Sequence, residues 1–156
     1  RLPEPKLKKI EINYLLKQIV SSFNTYKNIE IRTTIPDTEH YINADTSQIN
    51  RALQNLILNS INSIDESHEE KGVIDLRSYI DDDKYIISII DNGVGLKYEK
   101  DEILKPYFTT RKKTGGTGLG LSIVEKILFD HQADFEIINR SDGIDGAEVK
   151  VTFNLE

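Results

Sequence analysis

The chain has no cysteine, and that one absence removes disulfides, thiolate metal sites and a cysteine nucleophile together. No apolar run comes near the roughly 18 residues that a membrane span needs, and no charged-then-apolar signal segment opens the chain. Excess positive charge is missing as well: 20 Lys and Arg stand against 26 Asp and Glu, a formal net charge of -6. Such a surface repels nucleic acid and anionic membrane, so neither is expected as a direct partner, and an anionic ligand needs a local basic patch. Internal repeats and low-complexity segments are absent too. What remains is about one domain of sequence, 156 residues with 38% hydrophobic content, enough for a real core. The chain opens at Arg1 rather than Met, as expected of a piece of something longer.

Residues 1–9, RLPEPKLKK, hold two prolines and four cations with little to bury, the composition of a linker. The domain is therefore expected from Ile10 to Glu156. In 10-IEINYLLKQIVSSFNTY-26 the residues Ile12, Leu15, Leu16, Ile19, Val20 and Phe23 recur at three and four, which predicts a helix with one buried face. The run 29-IEIRTTI-35 alternates as a half-buried strand and stops at Pro36. A second helix is predicted over 45–64, where Asp45 and Gln48 stand at capping-box spacing ahead of a long helical periodicity. Runs 73–80 and 84–91 flank the acidic turn Asp81, Asp82 and Asp83 and read as a hairpin. A third helix over Leu119 to Phe129 and strands at 134–140 and 147–155 complete the chain. Three helices and about five strands predict an α+β fold, a two-layer α/β sandwich with a mixed sheet and the helices on one face.

One junction stands out. In 107-YFTTRKKTGGTGLGLSIVEKI-127 the helical pattern is preceded by Gly115, Gly116, Gly118 and Gly120 and by the cations Arg111, Lys112 and Lys113. A helix N-terminus carries roughly half a positive charge and unpaired N–H groups, and glycines let the backbone approach a bulky anion. Phosphate suits that setting, and Lys105 with the three cations supplies counter-charge. There is no G-K-[ST] for a P-loop, and a dinucleotide fingerprint needs a strand directly before the glycines, where this chain has polar Thr109 to Thr114. A loose loop before an ordinary helix stays open as the plain alternative. A second glycine pair lies in 90-IDNGVGL-96, where an apolar strand ends in Asp91 and is followed by Gly93 and Gly95; Asn92-Gly93 alone would be a hairpin turn. On the second helix, Asn55, Asn59 and Asn62 share one face although asparagine is a poor helix former. They form either a solvated stripe or a row of neutral oxygen donors.

In chain order these pieces resemble the N box, the D-x-G-x-G box, the F box and the G-x-G-x-G box of the GHKL nucleotide-binding domains, the superfamily of gyrase B, heat-shock chaperone ATPases, histidine kinases and MutL. The match runs from about Ile10 to Glu156. The linker 3-PEPKL-7 and the run 109–127 are most similar to the nitrogen-regulation sensor histidine kinases of the NtrY type.

The resemblance implies ATP and Mg2+ as cofactors and a role for each matching residue. Asp91 would accept a hydrogen bond from the adenine amino group, and Gly93 and Gly95 would bend the chain around the base. Asn59 would give its side-chain oxygen to a magnesium ion bridging the triphosphate, with Asn55 and Asn62 beside it. Tyr107 and Phe108 would anchor a mobile ATP lid, in which Thr110, Arg111, Lys112 and Lys113 would meet the phosphates. Gly116, Thr117, Gly118 and Gly120 at the helix start would bind the β and γ oxygens, while Leu119 and Leu121 would pin that helix to the core.

Hydrolytic branches of the superfamily, and the related serine kinases, place a glutamate general base four residues before the magnesium asparagine. Here that place is Asn55, and a carboxamide takes no proton at neutral pH. The histidine-kinase pattern has asparagine there. The implied activity is thus transfer of the γ-phosphate to a histidine outside the chain, on a helical dimerisation and phosphotransfer domain of the same protein. A homodimeric, two-component signalling protein with a downstream response regulator and this domain on the cytoplasmic side follows from the same resemblance. An anti-sigma-type serine kinase and a non-catalytic ATP-sensing module are the other readings. Of the three histidines, His68 lacks the apolar helical face of a phosphoacceptor box, His40 lies in a polar stretch, and His131 stands where a helix C-terminal contact is ordinary.

Overall fold

A computed structural model describes residues 2–67, 70–96 and 120–156. The first element is a strand that helical periodicity conceals. β1 (Lys8–Glu11) pairs antiparallel with β3 (Tyr41–Ala44), Ile10 opposite Ile42. The first helix, α1 (Ile12–Ser21), therefore starts two residues later than its pattern predicts. Glu11 makes the switch. Its carboxylate accepts from Asn13 N at 2.9 Å and Tyr14 N at 3.0 Å, capping the helix, and from His40 N at 3.0 Å, tying it to the chain before β3. β3 has only four residues, too few for alternation to announce it.

The main sheet has five strands in the order β2 (Ile29–Thr34), β4 (Gly72–Asp81), β5 (Lys84–Asp91), β7 (Ala147–Asn154), β6 (Asp134–Asn139). β2 and β4 run parallel and the other pairs antiparallel, so the sheet is mixed, as the sequence led one to expect. The acidic turn closes the β4–β5 hairpin, with Asp82 at φ 56. Strand period 2 sends alternate side chains to the helical side. Register then aligns Leu76, Ile89, Val149 and Ile137 in one apolar row across four strands, with Ile87 opposite Val151 in the next.

α2 (Thr46–Ser67) covers that face with Ile49, Leu53, Leu56, Ile57, Ile61 and Ile64. Asp45 caps it, accepting from Gln48 N at 3.2 Å. The predicted capping box is only half formed: Gln48 Nε2 donates to Pro3 O at 3.0 Å, and the Asp45 N–H donates instead to His131 Nε2 at 3.1 Å. α3 (Gly120–Asp130) lies beside α2 and buries Val124, Ile127 and Leu128. Its expected first residue, Leu119, lies outside the described residues. The three predicted helices and five predicted strands are all present, and β1 and β3 add a small second sheet.

Candidate nucleotide site

The inward-facing series on β5 is Tyr85, Ile87, Ile89 and then Asp91, so the strand's own alternation carries a carboxylate into the position of the next core residue. Asp91 is 3% exposed. Its Oδ1 accepts from Gly93 N at 2.9 Å and Ala147 N at 3.3 Å, and the Ser60 hydroxyl of α2 adds a third bond. Burial pushes its carboxyl above the ordinary aspartate range, while those three bonds and the charge of Arg140 pull it part of the way back. A buried acid at a strand end, held by one backbone donor of a glycine loop and one of the neighbouring strand, is a fixed acceptor beside the loop.

The loop itself has no room for side chains. A Cβ at Gly93 would lie 2.5 Å from the Ser63 carbonyl carbon of α2, so α2 and the loop touch backbone to backbone. Gly146, at φ +142, brings the start of β7 against the Asp91 main chain, where a Cβ would lie 2.9 Å from the carbonyl carbon and overlap its oxygen. Val94 N donates to Ser63 O at 3.3 Å and Ser63 Oγ at 3.0 Å. Asn92 closes the approach from β4, accepting from Val73 N at 2.8 Å.

Asn55, Asn59 and Asn62 are all partly buried on α2. Asn59 and Asn62 immediately precede Ser60 and Ser63, the two serines that hold the Asp91 loop, so the asparagine row runs alongside it. The amide nitrogen of Asn59 is buried with no hydrogen-bond partner among the described residues. Among the described residues no atom lies within 4 Å of where a Cβ of Gly120, at the start of α3, would be; no acidic residue stands in that helix's first turn, and Leu121 packs partly buried against the core. The remaining expected residues, Tyr107, Phe108, Thr110, Arg111, Lys112, Lys113, Gly116, Thr117, Gly118 and Leu119, lie outside the described residues, as does His68.

Sequence reasoning missed Ser60, Ser63, Asn139, Arg140 and Gly146. The doublet repeat 59-NSINS-63 was a usable signal for the serines, because a hydroxyl one residue after each asparagine turns toward the sheet. Nothing local marks the others, which act from the far side of the fold. The two described histidines have structural places. His131 Nδ1 lies 2.7 Å from Ile127 O, and its Nε2 accepts from Asp45, so the ring joins the end of α3 to the start of α2. His40 Nδ1 lies 2.9 Å from Thr38 O. Among the described residues no group of three or more His, Cys, Asp or Glu is placed to hold a metal, and no helix is long and apolar enough to cross a membrane.

Residues 44–156 match the family model described as histidine kinase-, DNA gyrase B-, and HSP90-like ATPase. The chain belongs to this ATPase family. ATP is accordingly the nucleotide its site is built for. A protein of Rickettsia typhi named as an NtrY-like sensor histidine kinase is 33% identical over 158 residues, covering the whole of this chain. The catalytic domain of histidine kinase ThkA superposes with a TM-score of 0.80 at 27% identity, covering 96% of this chain and 95% of that one. ThkA in complex with response regulator protein TrrA superposes with a TM-score of 0.77 at 25% identity, covering 97% of this chain and 42% of that one. The domain is thus the histidine-kinase catalytic type of the GHKL fold. It spans about a quarter of the length of the curated relatives it matches.

Proposed function

We propose that this GHKL domain binds Mg-ATP and delivers the γ-phosphate to a histidine on a separate helical domain of a longer sensor kinase, with the residues ahead of β1 leading to it. The observation that carries this reading is Asp91, a buried carboxylate with its charge held by a glycine loop at a strand end. Its oxygens would accept from the exocyclic amino group of adenine, an exchange that guanine, with a carbonyl at that position, does not offer.

The residues present fit magnesium. Asn59 carries a neutral, hard oxygen of the kind magnesium takes, and its buried amide nitrogen has no hydrogen-bond partner among the described residues. Bound there, the ion would neutralise triphosphate charge. Asn55 and Asn62 lie one turn to either side of Asn59 on the same face of α2. The N-terminus of α3, which has no acidic residue in its first turn, would meet the phosphates together with Gly116, Thr117 and Gly118. Thr110, Arg111, Lys112 and Lys113 would contribute charge from a lid anchored by Tyr107 and Phe108.

Asn55 separates this role from hydrolysis. No proton acceptor stands one turn before Asn59, so a base must come with the acceptor histidine, and an anti-sigma-type serine kinase is not favoured. The TrrA complex of ThkA supports a response regulator as the downstream partner. A homodimeric whole protein with this domain in the cytoplasm accords with the sensor-kinase relatives. The test is a phosphotransfer assay with labelled Mg-ATP and a separate helical histidine domain. Label should reach the partner's histidine, be lost in Asn59→Ala, and be absent from the chain alone. Brisk hydrolysis by the chain alone would overturn the reading.

A further inference from the structure

Two consecutive residues at the end of β6 hold the glycine segment 91–96, which runs on from β5, at Asp91 and at Leu96. Asn139 Oδ1 accepts from Leu96 N at 2.6 Å, and its Nδ2 donates to Leu96 O at 3.4 Å, so one side chain grips both polar groups of a single residue. Arg140 Nη1 donates to the main-chain oxygen of Asp91 at 3.1 Å. The same guanidinium is aimed by Asp142, with Nε to Oδ1 at 3.1 Å and Nη2 to Oδ2 at 2.6 Å. Arg140 also donates its own N–H to Gly146 O at 3.1 Å. Its side chain is 17% exposed against 52% for Asp142, which sets it apart from an ordinary surface ion pair.

The loop needs such support. Gly93 and Gly95 leave it little stiffness of its own, and Gly95 takes φ +78 directly against the Asn139 side chain. α2 holds the middle through Ser63, and β4 holds Asn92, but neither reaches Leu96 or the Asp91 carbonyl. We infer that Asn139 and Arg140 are positioning residues that set the base selectivity of the site, by fixing the segment 91–96 at Asp91 and at Leu96 and so the direction in which the Asp91 carboxylate points. This role presupposes Asp91 as the contact to adenine. A carboxylate selects an amino group over a carbonyl only while its acceptor direction is held; if the loop can shift, that discrimination relaxes before binding of the phosphates is touched.

The test measures the affinities of Mg-ATP and Mg-GTP by calorimetry and competition, with melting temperatures, for Asn139→Ala, Arg140→Met and the milder Asn139→Asp and Arg140→Lys. In the first two, ATP affinity should fall about five- to tenfold with GTP affinity changed less than about twofold, so that selectivity collapses. Asn139→Asp keeps an acceptor for Leu96 N–H and Arg140→Lys keeps one donor, so each should recover part of the lost selectivity. A fallen melting temperature with an unchanged ATP-to-GTP ratio would overturn the inference. Should the stronger variants fail to fold, the ratio in the milder pair decides it: no change in either overturns it. Asp91→Asn separates the two levels of the reading. Unchanged ATP affinity in that variant overturns the adenine pocket and the clamp with it, whereas a large loss there beside full selectivity in the clamp variants overturns the clamp alone.

Discussion

The two ends of β5 each bury a polar side chain on the same face of the same strand, and they use it differently. At one end Tyr85 is fully buried. Its hydroxyl bonds to Asn13 Oδ1 of α1 and lies 2.9 Å from Ser78 Oγ of β4, a closed set made of side chains from three elements. Burial pushes that phenol up to about 12. At the other end Asp91 is held by backbone N–H groups, one from the glycine loop at Gly93 and one from the start of β7 at Ala147, with the Ser60 hydroxyl of α2 as a third donor. A closed side-chain network fixes how α1 sits on the sheet. A buried charge held by the backbone of a tight loop is a poor way to stabilise a fold and a good way to aim an acceptor.

The contrast breaks most severely at Gly146. Alanine there would overlap the Asp91 carbonyl and force a side chain into φ +142, so Gly146→Ala should cost about 3 kcal/mol or more of stability, read from denaturant midpoints, and ATP binding should fail with it. The Asp91 end tolerates no added atom.

Next comes Asp91→Asn, expected to remove roughly 1.5 to 3 kcal/mol of ATP binding by calorimetry. Its effect on the empty fold should have the opposite sign. Because burial raises the folded carboxyl above its unfolded value, Asp91 favours the fold fully only below the unfolded pKa, and that advantage is lost as pH rises through the folded one. The asparagine variant should therefore melt no lower than wild type at neutral pH, and its relative advantage should shrink as the medium is acidified toward the ordinary aspartate range. A variant clearly less stable at pH 7 would make Asp91 a structural group like Tyr85.

Tyr85→Phe should show the reverse pattern: about 1 to 2 kcal/mol of stability lost, because Asn13 and Ser78 are left with unsatisfied buried groups, and ATP affinity unchanged. The wild-type contribution should persist below the ordinary tyrosine pKa and disappear as pH climbs through about 12. The smallest effect is expected for Ser60→Ala, which removes one of three donors to Asp91. ATP affinity should drop about three- to tenfold, corresponding to about 1 kcal/mol, with little change in melting temperature.

Much of this arrangement was legible from residues alone. Periodicity placed three helices and five strands, and the helix starts erred where side chains from elsewhere intervened. α1 begins at Ile12 because Ile10 and Glu11 are claimed by a strand partner thirty residues away in sequence, and Gln48 abandons its capping box because Pro3 lies within reach. Asp91, Asn59 and the glycines announced themselves because each is the wrong residue for its local element: an acid ending an apolar strand, amides on a helix, glycines at a helix start. Ser60 and Ser63 were unremarkable for a helix, and Asn139, Arg140 and Gly146 for the end of a hairpin.

The division follows from the range of the forces. Whether a segment is strand or helix, and which of its faces is apolar, depends on spacings of two, three and four residues, and these are written in the chain. So is the chemistry of the site, since a carboxylate, a carboxamide or a Cβ-free backbone is what it is before folding. The burial of Asp91, the closeness of Gly93 to α2, the grip of Asn139 on Leu96 and of Arg140 on Asp91 depend instead on strand order. β6 reaches the end of β5 only because β7 lies between them in the sheet and turns back through Gly146. No local spacing encodes that meeting. It arises when the apolar row from Leu76 to Ile137 closes against α2 and α3 and brings the polar strand ends together at one edge of the core.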